Sequence, residues 1–169
     1  MGEITVFHLG YCMGYESDSL LLRPWVIDDV AQLDGLNAMD MSVTWQRQTI
    51  VDCFSDHYFG WVICDHSDPF HHHVVAYLVA LIEARECQLL NLLVGNDYRR
   101  LGCARRLIQQ MVTQAARASA TKIFLEVNVT NQPAITLYKS CGFERVGLRK
   151  AYYKTATGRE DALIFCRTV

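Results

Sequence analysis

The stretch from Leu89 to Gly142 constrains the fold more than any other part of this 169-residue chain. It opens with an apolar run, LLNLLV (Leu89 to Val94), and an arginine–glycine turn, RRLGCA (Arg99 to Ala104). An amphipathic segment then runs to Ser119, followed by a second apolar run, KIFLEVNV (Lys122 to Val129), and by NQPAITLYKSCG, which ends at Gly142. The order reads strand, glycine turn, helix, strand, helix.

The turn has the most explicit chemistry. Ala104, Leu107, Ile108, Met111, Val112 and Ala115 fall on one face at helical spacing, so a helix starts at the turn. A helix start presents free backbone N–H groups and the positive end of a dipole, and it attracts anions. Gly102 and Ala104 lack bulk, which lets a phosphate approach the main chain. Successive N–H groups in such a turn form an anion nest. Arg99, Arg100, Arg105 and Arg106 add positive charge, although a plain glycine turn with solvated arginines has the same spacing. No Lys-Ser/Thr pair follows Gly102, which excludes a P-loop. Leu107 stands where a dinucleotide fingerprint needs its third small residue. A pyrophosphate suits the turn; neither of those two loops does.

Glu126 is the second informative residue. Ile123, Leu125, Val127 and Val129 alternate with Phe124, Glu126 and Asn128, the pattern of a central strand. A carboxylate there is costly unless it is paired or working. Two readings stand: a general base, or a glutamate satisfied by an arginine or water. Tyr138 is the third. Asn131 is a suitable N-cap, Pro133 fits a first helical turn, and Gly142 stops the helix. Tyr138 is either core or a phenol aimed at the same cleft as Glu126, where the two form an acid/base pair.

These residues carry a resemblance. Arg99, Gly102 and Ala104 match the R/Q-x-x-G-x-G/A turn of the GNAT acetyltransferase superfamily. Within it, LLNLLV, YRRLGCA, FLEVNVTNQPAITLYKSCGF and the tail YYKTATGREDAL resemble the bacterial ribosomal-protein-alanine N-acetyltransferases, most densely from Val74 to Phe165. The resemblance implies an α/β GNAT fold: a mostly antiparallel mixed sheet of seven strands flanked by four helices, in one domain over residues 1–169. It also implies acetyl-CoA as cosubstrate, without a metal. Leu92, Leu93 and Val94 would offer main-chain groups to the pantetheine arm and acetyl group. Arg99, Arg100, Leu101, Gly102, Cys103 and Ala104 would cradle the pyrophosphate, and Asn131 would contact coenzyme A. Glu126 matches the proton acceptor and Tyr138 the proton donor of direct attack, with N–H groups near Leu93 and Val94 polarising the carbonyl. The implied acceptor is an alanine N-terminus of a ribosomal protein, small-subunit protein eighteen. The chain departs from the family at Ala104, often glycine there, at Lys154, where a proline follows the paired tyrosines, and at Thr44-Trp45, commonly Pro-Trp.

An α-amino group has a pKa of about 8 and a lysine one of about 10.4, so far more of the former is neutral at pH 7. That fits an N-terminal acceptor. A lysine or small amine as acceptor, and a catalytically idle acetyl-CoA-binding domain, are the alternatives.

The rest of the chain supplies framework. A hydrophobic fraction of 51% supports a folded globule, and a net charge of −2 argues against general nucleic-acid binding. The longest apolar run, Val74 to Ile82, is too short to span a bilayer, and the start carries no secretory signal, so a cytoplasmic protein is expected. Seven cysteines without a C-x-x-C pair fit reduced usage; Cys103 reads as an accessible thiol and Cys141 as packed at a helix end.

Met1 to Asp18 reads as a partly mobile leader. Leu20 to Arg23 is a first strand, and two helices follow: one carries Val30, Leu33, Leu36 and Met39, the other spans Gln46 to Phe54. Trp45 and Phe54 are candidates for an acceptor wall. Phe59 to Cys64 and Val74 to Ala84 are antiparallel strands, with a turn from Asp65 to His73 whose three histidines point to alternating faces, a poor metal site. Phe143 to Val146, Leu148 to Thr157 and Ala162 to Arg167 complete the sheet, and Tyr152 and Tyr153 are placed to cover an acceptor peptide.

Overall fold

The computed structural model describes residues 19–39, 45–68, 71–155 and 158–169. The leader, Thr44 and Cys12 lie outside the described residues. In chain order the elements are β1 (Leu20–Pro24), α1 (Val30–Met39), α2 (Arg47–Asp52), β2 (Tyr58–Asp68), β3 (His71–Glu83) and β4 (Glu86–Val94). Then come α3 (Cys103–Arg117), β5 (Lys122–Asn128), α4 (Gln132–Ser140), β6 (Glu144–Thr155) and β7 (Gly158–Thr168). The strands form one sheet in the order β1-β2-β3-β4-β5-β7-β6. Neighbours pair antiparallel except β4 and β5, which are parallel and joined through α3.

Alternation decides which helices cover which face. In β5 the side chains of Ile123, Leu125 and Val127 are buried with Leu107, Ile108 and Met111 of α3, and Ile135 and Tyr138 of α4 join the same cluster. The other face of the sheet packs Val62, Tyr77, Val79 and Leu93 against Val30 and Leu33 of α1 and Ile50 of α2. α3 is strongly amphipathic: its apolar stripe is buried while Arg105, Gln109 and Thr113 are exposed.

α1 is rotated from the expected face. Val30, Leu33 and Asn37 are buried, whereas Met39 is 75% exposed. The polar Asn37 goes inside because a buried Tyr77 hydroxyl donates to its Oδ1 at 2.5 Å. The entry to α1 is held by Arg23, whose guanidinium donates to both oxygens of buried Asp29 at 2.7 and 2.8 Å.

Two strand boundaries differ from the sequence reading. β2 and β3 extend to Asp68 and from His71, so His72 and His73 belong to a strand and not to a turn, and the His72 ring lies 4.0 Å from that of His66. Residues 69–70 lie outside the described residues. The two runs expected from Phe143 and from Leu148 join in the single β6, Glu144–Thr155, because register shifts between Arg145/Gly147 and Arg149/Tyr153 absorb the irregular backbone without breaking the strand, and residues 156–157 lie outside the described residues. Ala151, in the second shift, has φ 53°. Gly60 is required by its neighbour: a Cβ there would stand 2.3 Å from the Trp25 ring.

Candidate active site

The site begins where two strands part. The β4–β5 ladder runs from Glu86↔Lys122 to Leu89↔Leu125, while β4 continues to Val94 and β5 to Asn128. The cause lies on the other side of β4. Val79 pairs with Asn91 and Ala80 with Leu89, so Leu90 is an extra residue, a bulge. The bulge turns both Leu90 and Asn91 toward α1: Leu90 packs on the α1 cluster, and Asn91 Nδ2 donates to the Tyr77 hydroxyl at 2.8 Å. Leu92 and Val94 return to the α3 side. The result is a fork whose inner edges carry main-chain groups of β4 beyond the ladder.

A cavity of about 490 Å³ fills the fork. Trp45, Leu92, Glu126, Asn131, Tyr138 and Tyr153 are among its walls, so expected site residues from β4, β5 and α4 and the expected wall residue Trp45 meet in one place. Phe54 does not join them; its ring stacks on Trp25 at 4.0 Å. Asn131 caps α4, its Oδ1 accepting from the Ala134 N–H at 3.1 Å, which leaves the side-chain amide as a donor.

Tyr138 is buried, with 7% of its surface exposed, and packs edge-on against Phe143 at 5.9 Å. Burial raises its pKa well above the ordinary phenol value, so it keeps its proton at any working pH. A thiolate entering the same cavity is desolvated too, and its basicity rises in the same sense. Glu126 is 14% exposed and paired with Arg149, whose Nη1 lies 3.0 Å from Oε1. The Tyr152 pKa is raised, first by the Glu126 carboxylate and then by burial. The Tyr153 hydroxyl donates to the Glu126 carbonyl at 3.3 Å. Arg149 lies 5.4 Å from the Tyr152 ring centre. The structure gives Glu126 the arginine partner of the second sequence reading and also places it on the cavity wall.

Arg149 is the site residue the sequence did not disclose. Its contact with Glu126 depends on a register carried across β7 to β6, and the local signal was a lone arginine three residues ahead of Tyr152-Tyr153.

The glycine turn and the helix start form as the spacing predicts. Gly102 is in the left-handed region at φ 83°, and open space lies where its Cβ would be. The Arg106 N–H donates to the Gly102 carbonyl, so the N–H groups of Cys103, Ala104 and Arg105 precede the first helical bond. Arg100 (φ 67°) and Leu101 are exposed, and Arg99 Nε donates to the Val94 carbonyl at 3.3 Å. The turn is tied to β2 by the Tyr98 hydroxyl, 2.7 Å from Asp65 Oδ2.

Arg105 donates to Ser140 Oγ at 2.8 Å and Arg106 to the Leu20 carbonyl at 3.1 Å, as Arg99 does to the Val94 carbonyl, so these arginines also brace the turn against neighbouring elements. One expectation for the turn is corrected. Cys103 is 1% exposed, because the first residue of α3 points into the core, and burial raises its thiol pKa. No group of three or more His, Cys, Asp or Glu side chains among the described residues is arranged to hold a metal ion. No helix among them is long and apolar enough to cross a membrane.

A helix start with an open left-handed glycine, beside a fork with unladdered main chain, suits the pyrophosphate and extended arm of an acyl-coenzyme A. The acetyltransferase (GNAT) family matches residues 27–143, and the chain belongs to that family. It is an acetyl-CoA-dependent N-acetyltransferase. Among relatives, it is 29% identical over 120 residues to the [ribosomal protein bS18]-alanine N-acetyltransferase of Escherichia coli K12, covering 71% of this chain and 78% of the relative. The crystal structure of the E. coli ribosomal-protein-S18-alanine N-acetyltransferase superposes with a TM-score of 0.81 at 24% identity, over 89% of this chain and 94% of that one. Arabidopsis thaliana NAA60 in complex with acetyl-CoA gives 0.81 at 20% identity, over 89% and 99%.

Proposed function

We propose that the protein acetylates the α-amino group of an N-terminal alanine on a ribosomal protein, with Glu126 as base and Tyr138 as acid. The observation that carries this reading is that both side chains line one cavity at the β4–β5 fork. The name of the E. coli relative supplies the acceptor class.

Acetyl-CoA brings an activated thioester. Asn131, the turn from Arg99 to Ala104 and the main chain from Leu92 to Val94 are the groups that would hold it. Glu126 takes the proton from the acceptor amine, through water, and its Arg149 partner keeps the carboxylate in place. N–H groups of the open β4 edge near Leu93 and Val94 stabilise charge on the carbonyl oxygen. Tyr138 gives its proton to the leaving sulfur. Trp45 and the Tyr152–Tyr153 pair, whose rings lie 5.1 Å apart, flank the acceptor. On this reading the reaction belongs to the cytoplasm.

Paired peptides test it: each carries an internal lysine and starts with a free or a blocked alanine, and mass spectrometry locates the acetyl group. Transfer to the free N-terminus alone is expected. Transfer to the blocked peptide puts the group on lysine and overturns the N-terminal reading.

A further inference from the structure

Inside the otherwise apolar α1 cluster runs a chain of three polar side chains. Asn91 Nδ2 donates to the Tyr77 hydroxyl at 2.8 Å, the Tyr77 hydroxyl donates to Asn37 Oδ1 at 2.5 Å, and Asn37 Nδ2 donates to the Trp45 carbonyl at 3.4 Å. Every donor points the same way, so the links polarise one another. Tyr77 is fully buried and Asn37 is 5% exposed. Burial holds the Tyr77 pKa above that of an ordinary phenol, which keeps it the neutral donor the chain needs.

The two ends of the chain are in the candidate active-site cavity: Asn91 sits after the bulge that opens the fork, and Trp45 is another of the lining residues. Its middle crosses from β4 through β3 to the end of α1. The start of α1 is docked separately, by Gln32 Oε1 accepting from the Val74 N–H at 2.8 Å. The polar chain therefore joins what that contact does not reach: the last turn of α1, and the residue shortly before α2, to the strand that forms the fork.

We propose that Asn37 and Tyr77 are positioning residues which set the distance between Trp45 and the β4 bulge, and so fix the acceptor wall without touching either substrate. The inference rests on Trp45 belonging to the acceptor side of the site. An apolar cluster needs no such chain to cohere, and each polar group in it costs desolvation unless satisfied. What the chain supplies is direction and length, which methyl groups do not specify.

The test uses the full chain with Tyr77→Phe, Asn37→Leu and the double variant. Steady-state kinetics would be run against acetyl-CoA and an accepted peptide, alongside hydrogen exchange of the segment that starts at Trp45. Each single variant is expected to raise acceptor KM roughly five- to tenfold, the scale of one lost hydrogen bond. Acetyl-CoA KM stays unchanged, and exchange after Trp45 becomes faster. The double variant matches the singles, because one break disables the whole chain. Equal changes in both KM values, additive effects, or unchanged exchange after Trp45 would overturn the proposal and make the chain core polarity alone. A wild type that acetylates no peptide fails the acceptor reading instead, and the exchange result still decides whether the chain holds the wall.

Discussion

The proposed roles of Glu126 as base and Tyr138 as acid rest on surroundings that differ. Glu126 stands beside Arg149 and Tyr152 at the edge of the cavity, where charge is tolerated. Tyr138 is packed on Phe143 in the α4 cluster, where charge is excluded. Such a separation lets one group accept a proton and the other keep one. Glu126→Gln keeps the shape and removes the base, so turnover is expected to fall roughly a hundredfold or more while the acetyl-CoA dissociation constant holds. Tyr138→Phe keeps the edge-on contact with Phe143 and removes the proton, so turnover falls while the thermal midpoint stays close to that of the wild type. Rapid-quench kinetics and calorimetric binding check both. Unchanged turnover in either variant would remove that residue from the chemistry.

At the scale of elements, the anion turn depends on a tether outside it. Asp65 of β2 accepts from the Ser67 N–H at 2.8 Å and from the Tyr98 hydroxyl, and these bonds, the Ser67 one first, lower its pKa. The Tyr98–Asp65 contact is the largest cause of the raised Tyr98 pKa. A lowered carboxylate adds stability that is complete above its unfolded pKa of about 3.9 and is lost as pH falls through the folded value. A raised phenol adds stability that is complete below about 10 and is lost as pH climbs through its folded value. Thermal melts of Asp65→Asn should therefore lie below the wild type between about pH 4 and 10 and converge with it at both ends. A gap that persists unchanged below pH 4 and above pH 10 would mean that the tether is not ionic in origin. The element types around this tether were legible in the sequence. α3 shows a strict helical stripe and β5 a strict alternation, and both fall where the spacing puts them. The rotation of α1 was not legible, because Asn37 is inward only by virtue of a hydroxyl 40 residues away. The pairing of Arg149 with Glu126 was hidden for the same reason: register across strands is long-range information that local periodicity does not carry.

For the molecule as a whole, the fork is a built-in discontinuity. Up to Leu89 and Leu125 the sheet is joined by backbone hydrogen bonds; past them, β4 and β5 are held through helices packed on opposite faces. A ligand that lies between the strand ends and reaches the start of α3 bridges both parts and has no site in the unfolded chain, so it stabilises the folded state by RT ln(1 + [L]/Kd). At a concentration of about 100 times Kd that is about 2.7 kcal/mol, and a domain of this size gains about 2–4 °C per kcal/mol, so acetyl-CoA should raise the thermal midpoint by about 5–11 °C. Gly102→Val places a branched side chain in the left-handed position and in the open space over the α3 N-terminus. It should lose most of that shift, whereas Glu126→Gln should retain it. Differential scanning fluorimetry with acetyl-CoA on the three proteins separates the two functions of the fork. A shift preserved in Gly102→Val would detach the glycine turn from cofactor binding. A shift lost in Glu126→Gln would place that carboxylate in the cofactor's grip instead of on the acceptor side.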